Sequence, residues 1–185
     1  MRLMIIVGSV RPGRAGLPIA QWVHQRAGSE GRFDEIDFVD LAELALPFMD
    51  EPQHPAKRAY TRPHTIAWSE RVDAADAFIL VSPEYNHSYS PALKNALDFL
   101  ANEWRHKPVS MVSYGGVSAG SRGVAALEPV LSTIGLVKAG ANVEINFVSQ
   151  HVREGVFHPD EKHDSILRTV FSQLRELADV LRTLR

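Results

Sequence analysis

Cysteine is absent from this 185-residue chain. Disulfides, thiolate metal ligands and a cysteine nucleophile are therefore excluded together, and a reducing compartment suits the protein. Long apolar runs are missing as well. The first, Leu3 to Val7, leads straight into a glycine loop. A secretory signal needs a longer apolar stretch and a cleavage site, and no segment approaches the ~20 apolar residues of a membrane span. These absences set the expectation of a cytoplasmic protein with no membrane partner. Charge of one sign is scarce, with a formal net charge of −2, which argues against a broadly cationic nucleic-acid surface or an acidic tail. The histidines show no H-E-x-x-H or other tight ligand spacing. His158 and His163 are read as solvated, and no metal site is expected.

What is present is a hydrophobic fraction of 45%, enough to bury one core in a single domain over residues 1–185. Short apolar, β-branched runs alternate with segments at helical spacing, the pattern of a parallel sheet covered by helices. The spacing predicts strands at Leu3–Val7, Phe33–Val39, Ala77–Ser82, Val109–Ser113 and roughly Lys138–Ile145. It predicts helices over Leu17–Ala27, from Ser90-Pro91 to Trp104 (with Ser90 as N-cap and Pro91 at the first helical position), and from about Asp160 to Leu184. Leu46–Thr65 is the one irregular stretch, rich in proline and read as a lid or spacer. In such a sheet, ligands sit beyond the carboxyl ends of the strands, which directs attention to residues 8–16, 82–90 and 113–122.

The first of these loops, GSVRPGRA (Gly8–Ala15), nearly matches the triphosphate-binding pattern G-x-x-x-x-G-K-[ST]. Arg14 replaces its lysine and Ala15 its metal-binding hydroxyl, and strand three ends in Ser82-Pro83 without a Walker-type aspartate. A metal-bound triphosphate is thereby excluded. A helix N-terminus flanked by Ser9, Arg11 and Arg14 suits a terminal monophosphate instead; the alternative is a tight turn with solvated arginines. The second stretch is SPEYNHSYSPALKNALDFL, Ser82 to Leu100. Pro83 stiffens the exit from strand three, Tyr85 offers a flat face, and the amides around Glu84 and Asn86 suit the edge of a planar ring. A helix-capping turn is the other reading. The third loop, SYGGVSAGSRG (Ser113–Gly123), is glycine-rich and by itself weakly informative.

Taken jointly, GSVRPGR, the P-E-Y-N and S-x-P-x-x-L-K-N-A-x-D runs, and SYGGVSAGSRG resemble the NADPH-dependent FMN reductase family from Leu3 to about Val143. The resemblance implies a flavodoxin-like three-layer α/β/α sandwich with a five-stranded parallel sheet, and FMN as cofactor with NADPH or NADH as co-substrate. Ser9 and Arg11 match the family's G-S-x-R phosphate motif. Where the family often continues G-S-x-N, this chain has Gly13-Arg14-Ala15-Gly16, with Arg14 as the compensating contact. The implied cofactor-binding set is Ser9, Arg11, Arg14, Gly16, Pro83, Glu84, Tyr85, Asn86, Ser113, Tyr114, Gly115 and Gly116. No side chain is expected to act as acid or base, because the flavin carries the hydride, and His87 stands beside the ring without a role. Arg122, at a helix start, is placed to meet a phosphate of NADPH. The acceptor is expected to be a small molecule such as a flavin or quinone. A homodimer or homotetramer is expected through helix 91–104, with loop 46–65 closing over the partner's site. A flavodoxin-like electron carrier without NAD(P)H turnover is the alternative, disfavoured by the arginines of the first loop. A dinucleotide-binding dehydrogenase lacks its G-x-G-x-x-G after strand one.

Overall fold

The apolar runs read as strands assemble into one parallel sheet in the computed structural model, which describes residues 1–185. Its strands are β1 (Arg2–Val7), β2 (Glu35–Asp40), β3 (Ala77–Pro83), β4 (Lys107–Tyr114), β5 (Leu136–Lys138) and β6 (Val143–Ile145). The order is β2-β1-β3-β4-β5, with β6 also pairing β4. Every residue of β3 and β4 is buried, as central strands covered on both faces must be. The chain leaves β1 for β2 on one side and returns to β3 on the other. A crevice therefore opens at the carboxyl ends of β1 and β3, the switch point at which such sheets bind ligands.

The helices α1 (Gly16–Glu30) and α6 (Glu161–Leu181) cover one face. On the other lie α2 (Leu41–Leu44), α3 (Pro63–Asp73), α4 (Pro91–Asp98) and α5 (Ser121–Thr133). A two-stranded hairpin, β7 (Val152–Arg153) with β8 (Val156–Phe157), precedes α6. Its Phe157 packs on Trp22 with ring centroids 5.0 Å apart.

Several boundaries differ from the sequence reading. The expected fifth strand is two short ones, because Ala139-Gly140-Ala141-Asn142 loops out between them. There the Asn142 side chain accepts the Met111 amide at 3.2 Å, and Ser110 Oγ donates to the Ala141 carbonyl at 2.6 Å. The expected helix to Trp104 stops at Asp98. Its last carbonyls are met by two buried indoles: Trp68 Nε1 donates to Ala96 at 2.9 Å and Trp104 Nε1 to Leu97 at 3.1 Å. Ser90 is buried but makes no side-chain cap. His163 is not solvated. It is 4% exposed, closes a capping box with Asp160 and lies 5.1 Å from the His151 ring.

The proline-rich segment is stitched down rather than loose, and its last residues already belong to α3. Asn95 donates to the Pro47 carbonyl at 2.7 Å and accepts from the Met49 amide at 3.2 Å. Buried Glu103 accepts from Tyr60 at 2.9 Å and from Ser69 at 2.7 Å. Glu51 accepts the Thr61 amide at 2.9 Å and the Arg62 amide at 2.9 Å. Desolvation raises the Glu51 pKa, but the two amides and the threonine hydroxyls outweigh it and bring the group from an ordinary 4.5 down to about 2. A depressed carboxyl stabilises the fold above its ordinary value, and that contribution fades as pH falls from about 4.5 towards 2. Limited proteolysis should therefore find the 46–62 segment opening across that window. In Glu51→Gln the segment should be equally susceptible above and within it.

Candidate active site

At the carboxyl edge of the sheet, three loops meet around a cavity of about 240 Å³. Its lining includes Ser9, Arg11, Gly13 and Arg14 from the first loop, Pro83, Glu84 and Tyr85 from the second, and Tyr114 and Gly115 from the third. The first loop leaves β1 with the Gly8 amide bonded to the Val81 carbonyl at 2.8 Å. A β-carbon on Gly8 would stand 3.0 Å from that oxygen, so glycine there lets the loop cross close to β3.

The N-terminus of α1 is bare. No side chain caps it, and no acidic residue lies in its first turn. Of the loop amides before it, that of Arg14 is tied to the Arg11 carbonyl at 3.2 Å. Free amides and the helix dipole attract an anion at this point. Gly16, the first helical residue, is buried against Tyr114: a β-carbon there would lie 2.5 Å from the tyrosine hydroxyl. That hydroxyl is itself buried and has no hydrogen-bond partner, and burial pushes its pKa above the ordinary phenol value.

The two arginines play different parts. Arg14 pairs with Asp40, whose side chain is 2% exposed and which also caps α2 through the Ala42 amide at 2.9 Å. It fastens the first loop to the end of β2. Arg11 is exposed, lines the cavity and has no carboxylate partner. Arg14 also lines the cavity, with its buried Nε unpartnered.

The second loop is a tight hairpin turn. Tyr85 and Ser88 exchange backbone hydrogen bonds at 2.8 and 3.0 Å, with Asn86 (φ 51°) and His87 (φ 67°) between them in the left-handed region. Asparagine tolerates that region better than most residues, which accounts for Asn86 by conformation; it and His87 are exposed and do not line the cavity. Tyr85 reaches back to Ser9, hydroxyl to hydroxyl, at 2.8 Å. The Glu84 carboxylate is engaged: Arg122 Nε donates to it at 2.6 Å and Ser118 at 3.0 Å. Desolvation acts against this carboxylate, and its hydrogen bonds from Arg122 and Ser118 prevail, leaving the pKa lowered. Arg122 is thereby paired, with its side chain still 47% exposed. The Glu84 amide bonds to the Tyr114 carbonyl at 3.3 Å, which joins the second and third loops.

In the third loop, buried Ser113 donates to the Ala119 carbonyl at 2.8 Å. Gly120 sits at φ 84°, where a β-carbon would meet Ser113 at 2.9 Å. Gly116 is open, with nothing within 4 Å of a β-carbon position. A fourth wall escaped the sequence reading. Val148 lines the cavity because the Phe147 and Val148 amides bond to the Gly116 and Gly115 carbonyls, each at 3.0 Å. No local spacing marks Val148; only its docking on the third loop brings it there.

A model of the NADPH-dependent FMN reductase family matches residues 1–166. The chain belongs to that family. Among relatives, this reductase is 35% identical over 181 residues to an NAD(P)H-dependent FMN reductase of Schizosaccharomyces pombe, covering 95% of this chain and 90% of that protein. It is 29% identical to an NADPH azoreductase of a Bacillus species, covering 96% of each. A flavoenzyme NAD(P)H:(acceptor) oxidoreductase from Paracoccus denitrificans shares the fold, with a TM-score of 0.76 at 24% identity over 96% of this chain and 97% of that one. No helix of the reductase is long and apolar enough to cross a membrane, and no group of three or more His, Cys, Asp or Glu is arranged to hold a metal.

Replacing the two arginines should separate their parts. Arg11→Ala should weaken FMN binding about ten- to a hundredfold, the worth of a charge-assisted hydrogen bond, and leave the melting of the flavin-free protein unchanged. Arg14→Ala strands the buried Asp40 and should destabilise the flavin-free protein by about 2–3 kcal/mol, less than the loss of a fully buried pair. Flavin titration and thermal melting of both variants check this.

Proposed function

We propose that the cavity holds FMN and that the protein transfers hydride from NAD(P)H to a small acceptor such as a flavin or quinone. The observation that carries this reading is Arg11, an unpaired cation beside an uncapped helix N-terminus. That combination fits a phosphate without a metal. Ser9 and the buried Tyr114 hydroxyl supply further hydrogen-bonding groups at the same end. Pro83, Tyr85, Gly115 and Val148 line the space for a flat ring. Gly116 leaves open space beside them. Bound FMN supplies the hydride-accepting and hydride-donating chemistry.

The chain's own residues then have positioning tasks. The Glu84–Arg122–Ser118 cluster and the Ser9–Tyr85 contact hold the loops so that the cavity is formed before a ligand enters. Gly16 keeps α1 close enough for its amides to face the site. Exposed backbone at Asn86 and Gly116 lies at the mouth, where a planar co-substrate would enter. This reading requires no side chain as general acid or base, because bound FMN would carry the hydride.

The purified protein should be yellow, bleach on addition of NADPH or NADH, and bind FMN far more tightly than riboflavin. Equal affinity for the two flavins would overturn the assignment of the phosphate loop. Because donor and acceptor would use one open face in turn, initial-rate plots should give parallel double-reciprocal lines. Intersecting lines with a trapped ternary complex would require two separate sites.

We further propose a homo-oligomer built on α4. Beside α4 lies an apolar cavity of about 550 Å³, flanked by Val10, Leu46 and Phe48. Phe48 is 88% exposed in the single chain, an unusual position for a large aromatic unless a neighbour covers it. Light scattering should show a dimer or tetramer at micromolar concentration. Phe48→Asp should shift it towards monomer.

A further inference from the structure

A second cavity, of about 420 Å³, opens at the opposite end of the sheet. It lies where β4 begins and where α3 and α6 end, and no hydrophobic residue lines it. Arg105, Lys107, Arg182, Arg185 and His106 line it beside two carboxylate side chains, Asp73 and Asp76, in a chain whose formal net charge is −2. Both carboxylates are already engaged. Asp73 pairs with Arg58 from outside the cavity at 3.0 Å. Asp76 accepts the Arg2 amide at 2.8 Å and stands 3.5 Å from Arg185 and 3.8 Å from Arg182.

Arg105 and His106 are exposed to this cavity and have no side-chain partner. The backbone presents them. Gly135 sits at φ 83°, where a β-carbon would lie 2.9 Å from Arg105 Cγ, so a side chain at 135 would displace the arginine. His106 is held at φ 56° with its amide on the Gly135 carbonyl at 3.0 Å. Lys107 is buried; its ammonium donates to the Val72 and Asp73 carbonyls, at 2.8 and 2.9 Å, and stands 5.8 Å from the Phe78 ring centroid. Those contacts close the end of α3, as a cation at a helix C-terminus does. They account for Lys107 but not for Arg105 and His106, which belong to the loop before β4. Desolvation, with Arg185 adding to it against the pull of Asp73, Asp76 and Glu103, brings the Lys107 pKa down to about 8. The cleft thus carries a surplus of positive potential that an oxyanion would relieve.

We propose that this cleft is a second anion site, separate from the FMN cavity, which takes the phosphate groups of a small phosphorylated molecule on Arg105 and His106. Its volume falls in the range of small-ligand sites, and a guanidinium fork matches phosphate oxygens. The test is calorimetric titration of the FMN-loaded protein with inorganic pyrophosphate and with ADP, ionic strength being held constant with sodium chloride. Saturable one-to-one binding is expected. Arg105→Ala should weaken it about tenfold or more and leave FMN affinity unchanged. Arg105→Gln, which keeps the stem against Gly135, should do the same, and His106→Ala should also weaken binding. Tighter binding of ADP than of pyrophosphate would assign the site to a nucleotide, and equal binding to the diphosphate group alone. Heats no different from those of sodium chloride would overturn the proposal. So would unchanged affinity in the Arg105 and His106 variants, or loss of binding in Arg11→Ala instead, which would move the anion to the FMN loop.

Discussion

The contact between Gly16 and Tyr114 sets the geometry on which the active-site edge depends. The Tyr114 hydroxyl stands where a side chain on residue 16 would be, 2.5 Å from the position of a β-carbon. With glycine there, the first turn of α1 settles against the Tyr114 side chain, which reaches it from the end of β4. Its unbonded amides then face the same space as the second and third loops. Any larger residue would have to displace either the tyrosine ring or the helix N-terminus, and with the latter the first loop. The field of a helix terminus falls off within its first turn, so a small displacement would cost much of the attraction for an anion.

Carboxylates hold the rest of that edge in place. Asp40 takes Arg14 and caps α2, Glu84 takes Arg122 and Ser118, and Glu51 takes the amides at the start of α3. Each is paired or multiply hydrogen-bonded, the condition under which a charge withdrawn from water remains tolerable. The consequence for function lies in what they leave over. With Arg14 and Arg122 engaged, Arg11 is the free cation of the first loop, and the cavity's positive charge is concentrated at one end. That asymmetry suits the proposed binding of a ligand with one anionic terminus and a flat body.

Much of the fold was legible because a doubly wound sheet writes itself into local pattern. Runs such as LMIIV and AFILV are apolar on both faces, and only buried parallel strands need that. The loops at the strand ends were equally visible, since glycine, proline and asparagine mark positions with unusual backbone demands. Asn86 illustrates the limit of that signal. The residue stood out, yet the structure uses it to hold a left-handed turn, and Tyr85 beside it lines the cavity. The helix that stops at Asp98 illustrates another. Its apolar stripe continues to Trp104, but the indoles of Trp68 and Trp104 take its last carbonyls, a long-range event that no local periodicity records.

The sequence by itself determined the class of sheet, the absence of thiol chemistry, the three loops at its carboxyl edge, and a family resemblance that the match over residues 1–166 bears out. Those properties reside in short stretches whose neighbours are near in the chain. Tertiary structure decided which charged groups remain free. Arg11 and Arg14 are three residues apart and chemically alike, but Asp40, brought alongside by parallel pairing of β1 with β2, reaches only Arg14. Glu84 meets Arg122 for the same reason, through pairing of β3 with β4. Pairing between strands distant in sequence settles these partnerships, and an ion pair requires contact within a few ångströms, which only the folded chain provides.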